Sequence, residues 1–230
     1  MKSLKTKKTG KSKESVSSKA AQPSNPTPVD RPDTRTRILI ASEKLFGSLG
    51  YESTSIRAVA REAQVNLALI NYHFGSKDEL YRELILSKIS PFRKELEAIA
   101  SDENLSGGEK LECYINAYSK FANSNSTIMK INLREITKES MLAKWFAEEV
   151  IGEFFKHTIR IITEAYSDGS IRGDISPVTF IPMIVGSIML RVVALPILAR
   201  GSGIEMMEDI NSPSILKEMK DVLFNGIKAR

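Results

Sequence analysis

A chain of 230 residues with 42% hydrophobic side chains is long enough for a small reading unit plus one medium core, or for one larger domain. Its formal charge of +5 suggests nucleic acid until it is located: residues 1–32 hold eight basic side chains against Glu14 and Asp30, so the other 198 residues sum to −1. One cysteine, Cys113, excludes an internal disulfide and suits a reducing cytoplasm, the expected location. The distant pair His73 and His157 offers no metal-spaced cluster, so neither a metal nor a cofactor is expected.

Residues 1–32 are Lys/Ser-rich and then Pro-rich, without helical or strand period. Such a composition buries too little apolar surface to offset chain entropy and predicts a disordered basic arm. The arm either adds non-specific attraction to phosphates or is a solvated leader. The start lacks the apolar stretch of a secretory signal.

Order is expected from Asp33, a candidate cap after Pro32. Ile38, Ala41, Leu45, Phe46 and Leu49 recur at helical spacing up to Gly50. A second helix is predicted over 55–63 with Thr54 as cap, and a short third from Asn66 to about His73, closed by Gly75. Ser76 opens a fourth with Glu79 as capping-box partner. It runs toward Ala100, with Pro91 expected to kink or break it. Further helices are predicted over 108–123, 126–139, 140–167, 177–199 and 212–228, with turns at Gly107-Gly108, Asp168-Gly169 and Gly201-Ser202-Gly203. No run alternates with period two, so the fold class is all-α. An N-terminal three-helix unit (33–80) precedes a C-terminal helical bundle (81–230).

Three short helices, the second and third joined by a tight turn, make a helix-turn-helix arrangement. Leu45, Phe46, Ile56, Val59, Ala60, Val65, Ile70 and Phe74 can form its core. The exposed positions of the third helix (Asn66, Leu67, Ala68, Asn71, Tyr72) would then face the major groove. The stretch Thr54-Ser55-Ile56-Arg57-Ala58-Val59-Ala60, then Val65-Asn66, then Asn71-Tyr72-His73-Phe74-Gly75-Ser76-Lys77-Asp78-Glu79-Leu80 resembles the TetR/AcrR family of bacterial regulators. The resemblance covers about residues 33–82. The helix carrying Arg134-Glu135 and the overall length look like the CecR-type branch of that family.

The resemblance implies phosphate contacts for Tyr72 and His73, a backbone clamp for Lys77, and a phosphate-facing hydroxyl at Thr54 or Ser55. It implies that Arg57 reaches a phosphate or base edge, and that Leu67, Ala68 and Asn71 read bases. Two positions depart from the pattern: Gln64 stands where the family commonly has Gly, and Asn71 where it has an aromatic. Gln64 is expected to strain the turn slightly. Asn71 can donate to and accept from adenine. Each residue has a plainer reading: Tyr72 and Phe74 as core aromatics, His73 as a helix-terminal cap. Residues 33–80 carry six basic and six acidic side chains, so the reader itself is neutral.

Downstream, Tyr114, Tyr118, Phe121, Trp145, Phe146, Phe154, Phe155 and Tyr166 crowd the segment 108–170. Aromatic-lined cavities with a few placed polar groups hold ligands. Tyr118, Phe121, Trp145 and Phe155, with Arg134 and Glu135 as polar groups, are the candidate site for a small-molecule effector. The alternative is ordinary core with Arg134-Glu135 as an intramolecular pair. His157 is expected on the surface or in packing.

The run 178–199 is long enough to be mistaken for a membrane span, but Pro182, Arg191 and Pro196 interrupt it, and no membrane is expected. Apolar nearly all round, it needs cover on every side. Ile215, Met219, Val222, Leu223 and Ile227 form one stripe on the last helix. The resemblance implies a homodimer interface from helices 177–199 and 212–228. Arg191 either meets Glu218 or Asp221 across it or snorkels to solvent.

An enzyme would need a Gly-rich phosphate loop, a metal cluster or a nucleophile elbow, and the sequence has none. A structural helical adaptor explains the apolar helices but not the block 54–80. The reading is therefore a double-stranded-DNA-binding regulator, a repressor by family default, released from a palindromic operator by a small molecule.

Overall fold

The computed structural model describes residues 32–138, 140–202 and 213–227. Residues 33–230 form one compact unit, and every regular element among the described residues is helical. In chain order these are α1 (Thr34–Leu49), α2 (Ile56–Glu62), α3 (Leu67–Phe74), α4 (Lys77–Ser101), α5 (Gly107–Ser124), α6 (Ser126–Ile136) and α7 (Met141–Trp145). They are followed by a π-helical turn (Phe146–Ile151), α8 (Gly152–Ser167), α9 (Pro177–Val193), α10 (Leu195–Ser202) and α11 (Pro213–Ile227).

The caps explain the boundaries of the first four helices. Asp33 accepts the Thr36 amide at 2.9 Å, Asn66 that of Ala68 at 2.9 Å, and Ser76 that of Glu79 at 3.1 Å. Each satisfies an amide that the first helical turn leaves without a carbonyl. At α2 the cap is Ser55, which accepts the Ala58 amide, and not the expected Thr54. The Thr54 hydroxyl is turned inward, donating to the carbonyls of Gly50 and Leu45.

The α2–α3 turn passes through Gln64 at φ +54, the one positive-φ residue other than glycine among the described residues. This conformation costs an L-residue roughly 1–2 kcal/mol. Arg37 of α1 offsets it, its Nη2 donating to the carbonyls of Ala63 (2.6 Å) and Gln64 (2.8 Å).

Several expected elements differ. Pro91 neither ends nor splits α4, which is helical from end to end. Pro91 sits on the exposed face, where the carbonyl it leaves without an amide partner can reach water. The segment 140–167 is interrupted by the π turn, and 177–199 breaks at Ala194, just before Pro196. No helix among the described residues is long and apolar enough to cross a membrane. Gly107 opens α5 instead of lying in a turn, behind the Ser106–Glu109 capping box, and a side chain there would collide with the backbone of Ala165 in α8. Gly201 and Ser202 belong to α10; Gly203 and the arm up to residue 31 lie outside the described residues.

The apolar side chains gather into two clusters. One joins Phe46, Val59, Ile70, Phe74, Leu80 and Leu84 of the first four helices to Ile128, Ile131, Leu142, Phe146 and Val150. The other packs α4, α5, α8 and α9 around Tyr114, Tyr118, Ile161, Phe180 and Ile184. The cores therefore do not part at residue 80: α6 and the π turn are built into the first cluster.

Candidate nucleic-acid interface and effector cavity

Helix α3 is anchored by Ile70 and Phe74, both buried, with Leu67 half-buried beside them. The anchoring leaves Asn66, Ala68, Leu69, Asn71, Tyr72 and His73 exposed, Tyr72 at 82%. A phenol so free of its neighbours has no packing role. Ser55 and Arg57 lie exposed at the start of α2, where free amides favour an anion. Lys77 lies against the Tyr51 ring, its Nζ 4.2 Å from the centroid, and donates to the Glu52 carbonyl at 3.3 Å. The Tyr51 hydroxyl donates to Asp78, and burial reinforced by that carboxylate raises its pKa. This packing fixes the lysine at the start of α4. Arg35 and Lys44 are instead engaged by Glu83 and Glu62.

A cavity of about 130 Å³ opens among α4, α5, α6, the π turn, α8 and α9. Its walls are Ile89, Phe92, Tyr118, Phe121, Met129, Leu133, Ile136, Phe146, Val150, Ile151, Phe154, Phe155, Val185 and Met189. Phe92 stacks on Phe121 with centroids 4.5 Å apart, and Phe154 lies 5.8–5.9 Å from Tyr118 and Phe92. Burial drives the Tyr118 phenol well above its ordinary pKa, so it stays neutral. The other polar side chain in the lining is Asn132, only 7% exposed, whose Oδ1 has no hydrogen-bond partner.

Residues 38–84 match the family described as "Bacterial regulatory proteins, tetR family". The chain is also 29% identical over 112 residues to the "Probable HTH-type transcriptional regulator YttP" of Bacillus subtilis. That stretch is 48% of this chain and 54% of that protein, so the chain spans about half the length of this curated relative. Residues 38–84 thus carry the DNA-binding unit described for the TetR family of bacterial regulators.

Two solved TetR-like folds extend the likeness over the helical C-terminal part. HlyIIR, a hemolysin II transcriptional regulator, superposes with TM-score 0.64 at 24% identity, covering 86% of this chain and 98% of its own. FadR from Bacillus subtilis, solved in complex with stearoyl-CoA, gives TM-score 0.66 at 18% identity, covering 84% and 98%. The family is one of regulators, not enzymes.

Set on this frame, the expected site residues divide. Ser55, Arg57, Asn66, Ala68, Asn71, Tyr72 and His73 are exposed on α2 and α3 or at their starts, and Lys77 is half-buried at the start of α4. Leu67 is half-buried, and Leu69, absent from the expected set, is the more exposed leucine. Thr54 is not available to a ligand: it is 1% exposed and its hydroxyl is committed.

Of the effector residues, Tyr118, Phe121 and Phe155 line the cavity, whereas Arg134, Glu135 and Trp145 do not. Arg134 is exposed and lies over Gly50 at the end of α1. Glu135, 2% exposed, is not part of the cavity lining and binds Lys138 at 2.9 and 3.0 Å. Trp145 packs on the first cluster beneath the Arg82 guanidinium, 5.4 Å from its ring. Met129, Asn132, Leu133 and Ile136 fill the lining from α6 instead. Their signal was the i, i+3, i+4, i+7 phase opposite Ile128, Ile131 and Glu135.

Two further expectations change. Arg191 does not snorkel outward: it is buried and donates to Asn123 at 3.2 Å. On α11, Met219, Leu223 and Phe224 pack on the protomer's own core, while Val222 is 75% exposed. Ile215 is half-buried, and the Ile227 side chain lies outside the described residues. Among the described residues of α9, α10 and α11, the large apolar side chains left uncovered are Val178, Met183, Leu190, Ile197, Leu198 and Val222.

Proposed function

We propose that this chain is a cytoplasmic repressor of the TetR family that binds a palindromic operator as a homodimer and is released by a small molecule entering the cavity. Residues 33–80 are the reader and 81–230 the sensing and dimerising part. The observation that carries this reading is the double face of α6. Ile128 and Ile131 are built into the reader's core, while Met129, Asn132, Leu133 and Ile136, on the same two turns, line the cavity. A ligand that shifts one face shifts the other, because a packed core transmits displacement.

Several observations support the parts. The exposed polar side of α3, held from behind by Ile70 and Phe74, suits major-groove reading by Asn71 and Ala68. Ser55, Arg57, Tyr72, His73 and Lys77 are placed for phosphates, which position without specifying. The uncovered side chains of α9, α10 and α11 suit a second copy of the chain, which would set two α3 helices about 34 Å apart. The aromatic cavity suits an apolar effector, in keeping with the acyl-CoA held by FadR, a structural neighbour. The CecR-type resemblance adds no separate expectation.

A ligand moves such an equilibrium only through different affinities for the two states. The test is fluorescence anisotropy on an inverted repeat from the DNA upstream of the protein's own gene. Two protomers should bind per site, and a cavity ligand should lower affinity. One protomer per site, or no preference for the repeat over scrambled DNA, overturns the proposal.

A further inference from the structure

We infer that Leu69 is a specificity-determining residue that reads thymine, its side chain packing on the 5-methyl group of one thymine in each operator half-site. The base pairs under α3 are then A·T and not G·C. This inference rests on the DNA reading proposed above and names what α3 selects.

The phase of α3 supplies the geometry. Ile70 and Phe74 are buried, and Leu67 packs beside them on the reader's core. At 3.6 residues per turn the opposite face falls to Ala68, Leu69 and Tyr72, and all three are exposed. Leu69 is 38% exposed and belongs to neither apolar cluster. A lone exposed leucine is ordinary. This one stands at the centre of the helix face that the core leaves free, between the exposed side chains of Asn66, Ala68, Tyr72 and His73.

Composition supplies the chemistry. In the major groove, guanine is read by Arg or Lys on O6 and N7, and cytosine by Asp or Glu on its amino group. Residues 66–74 contain none of these four. Asn66 commits its Oδ1 to the Ala68 amide at 2.9 Å, a cap that starts the helix. What α3 still offers to base edges is the exposed amide of Asn71, which matches adenine, and the carbon surface of Ala68 and Leu69. The thymine methyl is the apolar group that the major groove presents to such a surface. Packing the two together takes both out of water, and the gain scales with the area covered.

The test selects binding sites from random duplex DNA with the full-length protein, then rebuilds the recovered inverted repeat with single bases exchanged. Uracil in place of the critical thymine removes the methyl and keeps the base pair. By anisotropy at fixed salt, affinity should fall about fourfold for one half-site and about 16-fold for both. At the same position, 5-methylcytosine should bind about fourfold better than cytosine. In Leu69→Ala both methyl effects should vanish, with no fall in melting temperature, because the side chain packs on neither cluster. Equal affinity for thymine and uracil at every half-site position overturns the inference. So does a uracil penalty that survives Leu69→Ala, or a selected repeat with G·C pairs throughout its half-sites. In each of those cases the protein still prefers a repeat, and the DNA-reading proposal stands. Recovery of no preferred sequence sinks that proposal and this inference with it.

Discussion

The reader and the cavity are built from the same helices' worth of chemistry but in opposite ways. The reader's exposed determinants sit within residues 54–80, set by local caps, although the core behind them also takes in α6 and the π turn. The cavity gathers side chains from six elements spanning residues 89–189, and its one unsatisfied polar group comes from the middle of an apolar stretch. The difference is one of contact order. Local structure is dictated by local sequence, whereas a cavity depends on which face of each distant helix ends up inward.

The largest test of that comparison lies in α6, where both regions meet. Ile131→Ala, on the reader face, removes a fully buried side chain and should cost about 2–5 kcal/mol in urea unfolding. Leu133→Ala, two residues on and 37% exposed at the cavity, should change stability by no more than about 0.5 kcal/mol while weakening ligand uptake. Equal losses would mean that α6 does not separate the two regions.

The reader's outer face comes next. Replacing Tyr72 and Lys77 together by Ala should lower operator affinity about 100-fold. Tyr72 anchors nothing and Lys77 contributes only its contact with Tyr51 and Glu52, so stability should fall by no more than about 1 kcal/mol and dimerisation should be unchanged. A comparable loss of stability would return Tyr72 to a packing role.

Thr54 and Ser55 sharpen the same contrast at smaller scale. Thr54→Val strips the hydroxyl from two carbonyl partners inside the reader and should cost about 1–2 kcal/mol of stability. Operator affinity of the folded protein should be unaffected, as read by anisotropy well below the melting temperature. A loss of DNA binding without a loss of stability would mean that Thr54 turns outward to meet phosphate.

These two residues also mark where the sequence stops being legible. Asp33, Asn66, Ser76 and Gly75 each stand alone at a helix end, and their roles could be read from type and position. Thr54 and Ser55 are adjacent hydroxyls with equal capping chemistry, and only the path of the chain after Gly50 decides which one caps. On α6 the charges of Arg134 and Glu135 drew attention because polar groups beside apolar ones suggest a site. Helical phase instead sends Glu135 toward the reader and leaves the uncharged Asn132 in the cavity. The π turn at 146–151 was invisible for a related reason: one extra residue per turn shifts the phase without changing composition. It is that turn which brings Phe146, Val150 and Ile151 together on the cavity wall.

The smallest expected effect concerns the α2–α3 turn, where this chain departs from the family's common glycine. Gln64→Gly relieves the left-handed penalty of roughly 1–2 kcal/mol but adds about 0.5–1 kcal/mol of unfolded-chain entropy. The net gain is about 0.5 kcal/mol, seen as a higher urea midpoint at unchanged m-value. Arg37 gives this small number its meaning, because its two hydrogen bonds hold the strained carbonyls in place. If the clamp offsets the strain, Arg37→Ala should cost more in the unsubstituted chain than in the Gln64→Gly background, as a double-mutant cycle would read it. Strict additivity would make the clamp an ordinary surface contact and leave Gln64 to bear its conformation alone.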